Sequence, residues 1–299
     1  MTSVQMHTAP RFGQVIREQL KAVSLSLRLP VLGAAALGTI VTALTLVDFA
    51  RGKGGVEFAP DLSMIPAFAG ILLPFAIWLS EKPFGARLMW TLPVGRTRHA
   101  FAKVLAGYIV LIIAVTVFVL WLLFLALITK GNITGDEMIR MLPSAIVPPR
   151  GTLDPSMIRT IRWVPPRALW LVPFTAATAA YLVGSAVALG IRYPFRWIIG
   201  IIAAGFLAAA VGHGMSGDAM DLAAGKIVGN FFFGRYGVDA VLTARAESFK
   251  TIVKVTTGEW VNVWRGLPDV SDWIIATILW TALGIAGLTA ALMRHRERR

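Results

Sequence analysis

Long apolar runs without charged residues alternate with polar stretches along this sequence. A helix needs roughly 20 mostly apolar residues to cross the hydrocarbon core of a bilayer. Five runs approach or exceed that length, and a sixth, at 197–213, is shorter. The pattern predicts an all-α membrane protein with six transmembrane helices. The predicted spans cover residues 29–47, 62–80, 104–129, 168–191, 197–213 and 273–293.

Basic residues are divided unevenly between the two sides of this six-span plan. The segments on the side of the termini carry 15 of the 29 Lys and Arg residues and only 3 of the 16 Asp and Glu residues. Lys and Arg in short loops are retained in the cytoplasm, so both termini are expected there, in a multi-pass protein of the cell membrane. A five-span plan would place the basic tail RHRERR outside, against this rule. The four segments are 1–28, 81–103, 192–196 and 294–299.

Composition supports the membrane assignment and excludes other classes. Hydrophobic residues make up 56% of the chain, charged residues 15%, and the mean hydropathy is +0.69, which is outside the range usual for a soluble domain. The chain has no cysteine, which excludes disulfides and thiolate metal sites. The basic residues flank the spans and form no patch interleaved with aromatic residues, so nucleic acid is not an expected partner.

The leader, residues 1–28, has apolar residues at helical spacing, with its basic residues largely on another face. This pattern predicts an amphipathic helix lying on the membrane surface, followed by a transmembrane domain over residues 29–299. The alternative is an extension of the first span, and Pro30 would mark the bend between the two helices. The apolar positions are Phe12, Val15, Ile16, Leu20, Val23 and Leu27.

Two long segments fall on the outer side of the plan. Residues 130–167 are rich in proline, which favours an irregular cap over a folded domain. Residues 212–272 contain the apolar stretch NFFFGRYGVDAVL, which suits short helices dipping into the outer interface or a surface loop with a few buried aromatic residues. No soluble domain is expected in either segment.

Catalytic motifs are missing from the sequence. There is no GxxxxGK[ST] phosphate loop, no HExxH, no GxSxG and no GxGxxG opening a helix, so the chain is not expected to be an enzyme. The middles of the six runs contain no ionisable side chain, which argues against ion-coupled transport. His213, Asp218 and Asp221 are the one candidate for a metal or acid–base cluster, but their spacing matches no ligand motif, and an ordinary polar loop is the simpler interpretation.

Two spans each have one mildly polar face. Such faces in a bilayer commonly pack helix against helix beside small residues, and lining a solute pathway is the alternative. The residues are Thr39, Thr42 and Thr45 in the first span, and Thr175, Thr178, Tyr181 and Ser185 in the fourth.

The inner loop between the second and third spans has a distinctive pattern. An amphipathic segment at 84–92 is stopped by Pro93 and bracketed by Arg87, Arg96 and Arg98. A rigid knob with charged edges could dock in a groove of a separate ATPase. Alternatively, the same residues form a basic loop that only fixes topology.

This loop, EKPFGARLMWTLPVGRTRHAFAKVLAG, resembles the corresponding loop of the permease subunits of ABC transporters of the type-2, exporter-like class. In that family a glutamate ends the second span, and a Gly-containing segment and a Leu-Pro-Val-x-Arg stretch precede a lysine that opens the third. Trp90 stands where the family more often has an aliphatic residue. The matching positions are Glu81, Gly85, Leu88, Leu92, Pro93, Val94, Arg96 and Lys103.

The resemblance implies a permease subunit that is coupled through the 81–103 loop to a cytoplasmic ABC ATPase and paired with a second permease copy or a homologue. ATP and Mg²⁺ would be bound by the ATPase, and export is the family's usual direction. Within the loop, Arg87 and Arg96 are expected to contact the ATPase directly, and Glu81 and Pro93 to fix the loop. The full set of implied partner-contact residues is Glu81, Gly85, Arg87, Leu92, Pro93, Arg96 and Lys103. A non-transporting membrane anchor or assembly subunit, with the outer segments as its working surface, is the alternative from another class.

Overall fold

The computed structural model describes residues 12–56, 60–78, 96–132, 137–142, 153–191, 196, 230–232, 234–244, 250–267 and 269–297. Within these ranges the chain is mainly helical and also contains a four-stranded sheet. The helices are α1 (Phe12–Ser26), α2 (Arg28–Ala50), α3 (Met64–Trp78), α4 (Arg96–Ile128), α5 (Val172–Gly190), α6 (Val238–Thr243) and α7 (Val270–Glu297), and the strands are β1 (Glu137–Met141), β2 (Arg159–Trp163), β3 (Lys250–Lys254) and β4 (Trp260–Trp264).

Four helices, α2, α4, α5 and α7, are long and apolar enough to cross a bilayer, as expected for a helical membrane protein. They coincide with four of the predicted runs. The run at 62–80 is represented by α3, which has only 15 described residues and a length of about 22 Å at 1.5 Å per residue. The weak run at 197–213 lies outside the described residues.

Helix α5 packs against both α3 and α7 through small residues. A Cβ atom added to Gly70 of α3 would lie 2.5 Å from the backbone oxygen of Ala177, and one added to Gly184 of α5 would lie 2.8 Å from that of Ile71. Gly284 of α7 approaches Leu182 of α5 in the same way, with 2.6 Å between the added Cβ and that of the leucine. Glycines let helix backbones approach closely in a bilayer, and here they set both crossings.

The two ends of the bundle differ. At the end that we call the sheet end, the amide of Val56 donates a hydrogen bond to Oγ1 of Thr129, which joins the loop after α2 to the end of α4. At the other end, which we call the leader end, α1 packs against the beginning of α4. Gly190 and Ala291, near the last residues of α5 and α7, also lie together.

Helix α2 has no buried residue along its 23 residues. Its side-chain hydrogen bond to the rest of the bundle runs from Nε1 of Trp121 to Oγ1 of Thr42, over 2.9 Å. One backbone hydrogen bond is missing at the junction of α1 and α2. Pro30 has no N–H and therefore cannot donate to the carbonyl of Ser26.

The sheet corrects the all-α prediction and the expectation of an irregular cap. Its strand order is β2-β1-β4-β3, so each outer segment contributes a pair of strands. β1 and β2 pair antiparallel, as do β3 and β4, and a short parallel contact between Met141 and Trp264 joins the two hairpins. One buried cluster holds the sheet together: Leu142, Leu153, Val253, Val255, Val261 and Val263.

Residues 230–232 and 234–244 lie against the sheet end of the bundle. Nε1 of Trp280 donates a hydrogen bond to the carbonyl oxygen of Tyr236, and Arg235 is paired with the largely buried Asp272 at 2.9 Å. α6 packs into a cluster with residues of α3, α5 and α7, through Ala240 and Val241. The described part of NFFFGRYGVDAVL therefore includes helical turns that are packed between the spans.

Asp269 caps the amino end of α7 by accepting a hydrogen bond from the amide of Ser271, over 2.8 Å. This hydrogen bond lowers the pKa of Asp269 below its usual value. The cap thus satisfies one of the unpaired amides that begin a helix.

Candidate coupling site at the leader end of the bundle

The candidate coupling site consists of the helices on either side of the inner loop, α3 and α4, and the leader helix α1 that packs against them. α3 ends at Trp78 and α4 begins at Arg96. Arg96 is described as the first residue of α4, and Lys103 lies two turns further on. The other predicted contact residues lie outside the described ranges: Glu81, Gly85, Arg87, Leu92 and Pro93.

Lys103 joins the two helices that flank the loop. Its Nζ lies 4.7 Å from the ring centroid of Trp78, in cation–π geometry. The lysine is 3% exposed and the tryptophan 4%. The structure therefore places Lys103 inside the protein, where it holds α4 against the end of α3, and not on a surface open to a partner.

The leader helix contacts the same region of α4. The rings of Phe12 and Phe101 stack with their centroids 6.2 Å apart, and the guanidinium of Arg98 lies 5.6 Å from the centre of the Phe12 ring. Two turns further along α1, the amide nitrogen of Gln19 lies 3.5 Å from Nδ1 of His99. These contacts fix α1 along the first turns of α4.

The apolar stripe of α1 faces protein at this point. Val23 is 1% exposed and Leu27 4% exposed, and both belong to the main core cluster together with Ile77, Trp78 and Ala100. The sequence predicts the stripe correctly, but the surface expected to cover it was the membrane. In the structure α4 and the end of α3 cover it.

α1, the end of α3 and the beginning of α4 thus pack together around Trp78 and Lys103, which flank the inner loop. Helix α1 leads directly into α2. Trp78, Gln19, His99 and Phe101 were not predicted to take part; only the position of Trp78 just before the end of an apolar run could have indicated it.

Comparisons of the chain with protein-family models, curated proteins and solved structures found no match. The site is thus interpreted from its own geometry. Within the described part of the chain, no group of three or more His, Asp or Glu side chains could hold a metal ion. His213, Asp218 and Asp221 lie outside that part.

The polar face of the first span makes one contact within the bundle. Thr42 accepts the hydrogen bond from Trp121 and donates its own to the carbonyl of Gly38, whereas Thr39 donates to the carbonyl of Ala35 and is exposed. Thr45 is half-buried. These threonines lie at the edge of the bundle, where α2 meets α4.

The polar face of the fourth span lies against α4. Oγ1 of Thr178 is 3.3 Å from the hydroxyl of Tyr108, and the hydroxyl of Tyr181 donates to the carbonyl of Val104 over 2.6 Å. Ser185 is fully buried, and Thr175 donates to backbone carbonyls of its own helix. Their geometry is that of helix packing.

An open groove of about 390 Å³ runs between α5 and α7. Small apolar residues, including Ala186, Gly190 and Gly287, form its walls. It offers no charged group to a solute. None of the polar-face residues of α5 lines this groove, so the groove and that face lie on different sides of the helix.

Val23→Asp is expected to detach α1 from α4, because it places a carboxylate at a position that is 1% exposed. The measurement is trypsin cleavage at Arg17 and Lys21 in detergent, which should become faster while the bundle stays folded. Ser24→Asp introduces the same charge at an exposed neighbouring position and should leave cleavage unchanged. Equal rates in both variants would show that α1 is not held by this contact.

Proposed function

We propose that this chain is the membrane-spanning permease subunit of an ATP-driven ABC transporter and exports its substrate. The inner loop at 81–103 would bind a separate cytoplasmic ATPase, which would hold the ATP and Mg²⁺. The permease would pair with a second copy or a homologue. The proposal joins the pattern of the loop to the structure of the elements that support it.

One observation carries the proposal: both ends of the loop are anchored in one buried unit. Trp78 and Lys103 are in contact across the loop, and the leader helix packs on both flanks through Val23. A loop that only fixed topology would not need such a support. A loop that transmits the movement of an ATPase needs this support, because rigid-body rearrangements require firmly packed elements.

The ends of the helices support six spans. Gly190, the last residue of α5, lies beside Ala291 at the leader end. Tyr236 and Arg235 instead contact the outer part of α7, through Trp280 and Asp272. We propose that the chain between these two locations crosses the bundle through the apolar run at 197–213.

Charge supports a cytoplasmic leader end. α1 and the first turns of α4 lie at this end with Arg17, Lys21 and Arg98. The retention of Lys and Arg in the cytoplasm favours a cytoplasmic location for both termini and the loop. The exposed apolar surface of α2 leaves room for a second permease subunit beside the bundle.

The second candidate, a non-transporting anchor or assembly subunit, is favoured by one observation. The two outer segments form a common sheet, and its exposed side chains include Met138 and Trp260. Such a subunit would use the sheet as its working surface and would need no ATPase.

The deciding experiment is a gentle detergent extraction of the tagged chain from its native membrane, followed by mass spectrometry and an ATPase assay. We expect a stoichiometric soluble ATPase in the eluate. In Arg87→Glu and Arg96→Glu variants we expect its recovery and its stimulation to fall strongly, because the reversed charges would repel the docking surface. Arg51→Glu, at an exposed position of the sheet end, is the matched control and should retain the ATPase.

Two results would contradict the proposal. If no ATPase is recovered from wild-type membranes, the anchor function is favoured. If the ATPase is recovered equally with all variants, the loop is not the contact.

A further inference from the structure

The β3–β4 hairpin has one buried face and one exposed face. Val261 and Val263 of β4 point into the cluster that holds the sheet together, and Val253 of β3 joins them. Side chains alternate along a strand, and directly paired residues share a face. Trp260, Asn262 and Trp264 therefore lie on the opposite face, together with Ile252, which pairs with Asn262, and Lys254, which pairs with Trp260.

The face with Trp264 also contains Trp163. Trp264 is paired with Met141, which shares its side of β1 with Glu137, and Glu137 is paired with Trp163. The rings of Trp163 and Trp264 are in contact, with centroids 5.2 Å apart. We call this side of the sheet the span-facing face.

Trp163 connects the span-facing face to the ends of the spans. It packs against a cluster that contains Val172, the first residue of α5, and Trp273, in the first turn of α7. β4 ends at Trp264 and α7 begins at Val270, so only a short connection separates the sheet from the membrane-crossing part of the chain. The span-facing face therefore rests on the bundle at one side.

The part of the span-facing face that is farther from the bundle is not covered by any described part of the chain. Trp260 is 69% exposed and Ile252 is 63% exposed, and Lys254 and Asn262 are exposed beside them. Trp260 and Ile252 are diagonal neighbours across the two strands, within reach of each other. We call these four residues the overhang patch.

We propose that the overhang patch lies in the headgroup region of the bilayer leaflet at the sheet end. Tryptophan is enriched at this depth because its ring is apolar and its N–H is polar. A lysine beside it can lay its stem on apolar surface and extend its ammonium group to lipid phosphates. The patch continues a face that already contacts the span ends, so the adjacent bilayer is the surface within its reach.

The absence of native cysteine allows this contact to be measured with one label at a time. Trp260→Cys would carry an environment-sensitive fluorophore in a chain reconstituted into phosphatidylcholine nanodiscs. The control is Met138→Cys, which is on the opposite face of the sheet and is 67% exposed in the wild-type protein. Each label is challenged with phosphatidylcholine that bears a nitroxide on its headgroup and, separately, with aqueous iodide.

We expect the nitroxide lipid to remove most of the fluorescence at position 260 and little at position 138, with the opposite order for iodide. Quenching at position 260 by iodide alone would place the patch in water, and protection from both quenchers would indicate a protein partner; either result overturns the proposal. If Trp260→Cys does not fold into a monodisperse protein, Ile252→Cys tests the same face. The result does not depend on the proposed ATPase.

Discussion

Gly70→Ala and Gly184→Ala are each expected to destabilise the bundle by about 1–3 kcal/mol. The added Cβ atoms would lie 2.5 Å from the backbone oxygen of Ala177 and 2.8 Å from that of Ile71. Backbone atoms cannot move aside as the tip of a side chain can, so α3 and α5 must separate. The free energy of unfolding in mixed micelles, measured by titration with a denaturing detergent, gives the loss directly.

Gly38→Ala is the control for this pair. No atom outside the adjacent backbone of α2 lies within 4 Å of the Cβ that it would introduce, and alanine is a better helix former than glycine by about 1 kcal/mol. The variant should be as stable as the wild-type protein or slightly more so. If Gly70→Ala and Gly38→Ala behave alike, the close crossing of α3 and α5 is not a source of stability.

Trp78→Ala is expected to cost about 3–5 kcal/mol, the usual range for removing a buried tryptophan. The ring is 4% exposed, belongs to the main core cluster and supports the ammonium group of Lys103. If the proposed coupling is correct, the same variant should also lose stimulation of the ATPase under conditions where it remains folded. Phe68→Ala is the control, because this aromatic residue of α3 is 64% exposed.

The contribution of the cation–π contact between Lys103 and Trp78 to stability can be measured separately. A double-mutant cycle of Trp78→Leu and Lys103→Met should give a coupling energy of about 0.5–2 kcal/mol. Additive effects in the cycle would mean that the two side chains are neighbours without a stabilising interaction. The stability measurement uses the same micelles as the glycine variants.

Four of the six predicted spans coincide with helices that are long and apolar enough to cross a bilayer. A run of apolar residues crosses a bilayer whatever its neighbours are, so 104–129 and 273–293 could be recognised one at a time. The same reasoning gave the apolar stripe of α1. It could not show what covers the stripe, because periodicity identifies a buried face and contains no information about the partner, here Val104 and Trp78.

The sheet could not be predicted in this way. Its strands have five residues each. The contact between β1 and β4 pairs Met141 with Trp264, which is more than a hundred residues further along the chain. The prolines around β1 and β2 favoured an irregular cap, and local patterns do not report pairing over such a distance. For the candidate site, the proposed role of the loop rests on its sequence pattern, whereas the contact of Trp78 with Lys103 needed the structure.

The parallel contact between β1 and β4 has a consequence for the order in which the protein is made. β1 leaves the ribosome after the third predicted span, but its partner strand is synthesised just before the last one. The β1–β2 pair must therefore wait without the β3–β4 hairpin until all the predicted spans except the last have been synthesised. Closure of the sheet would be a late event in biogenesis, and it is a point at which a quality-control protease could distinguish finished molecules from truncated ones.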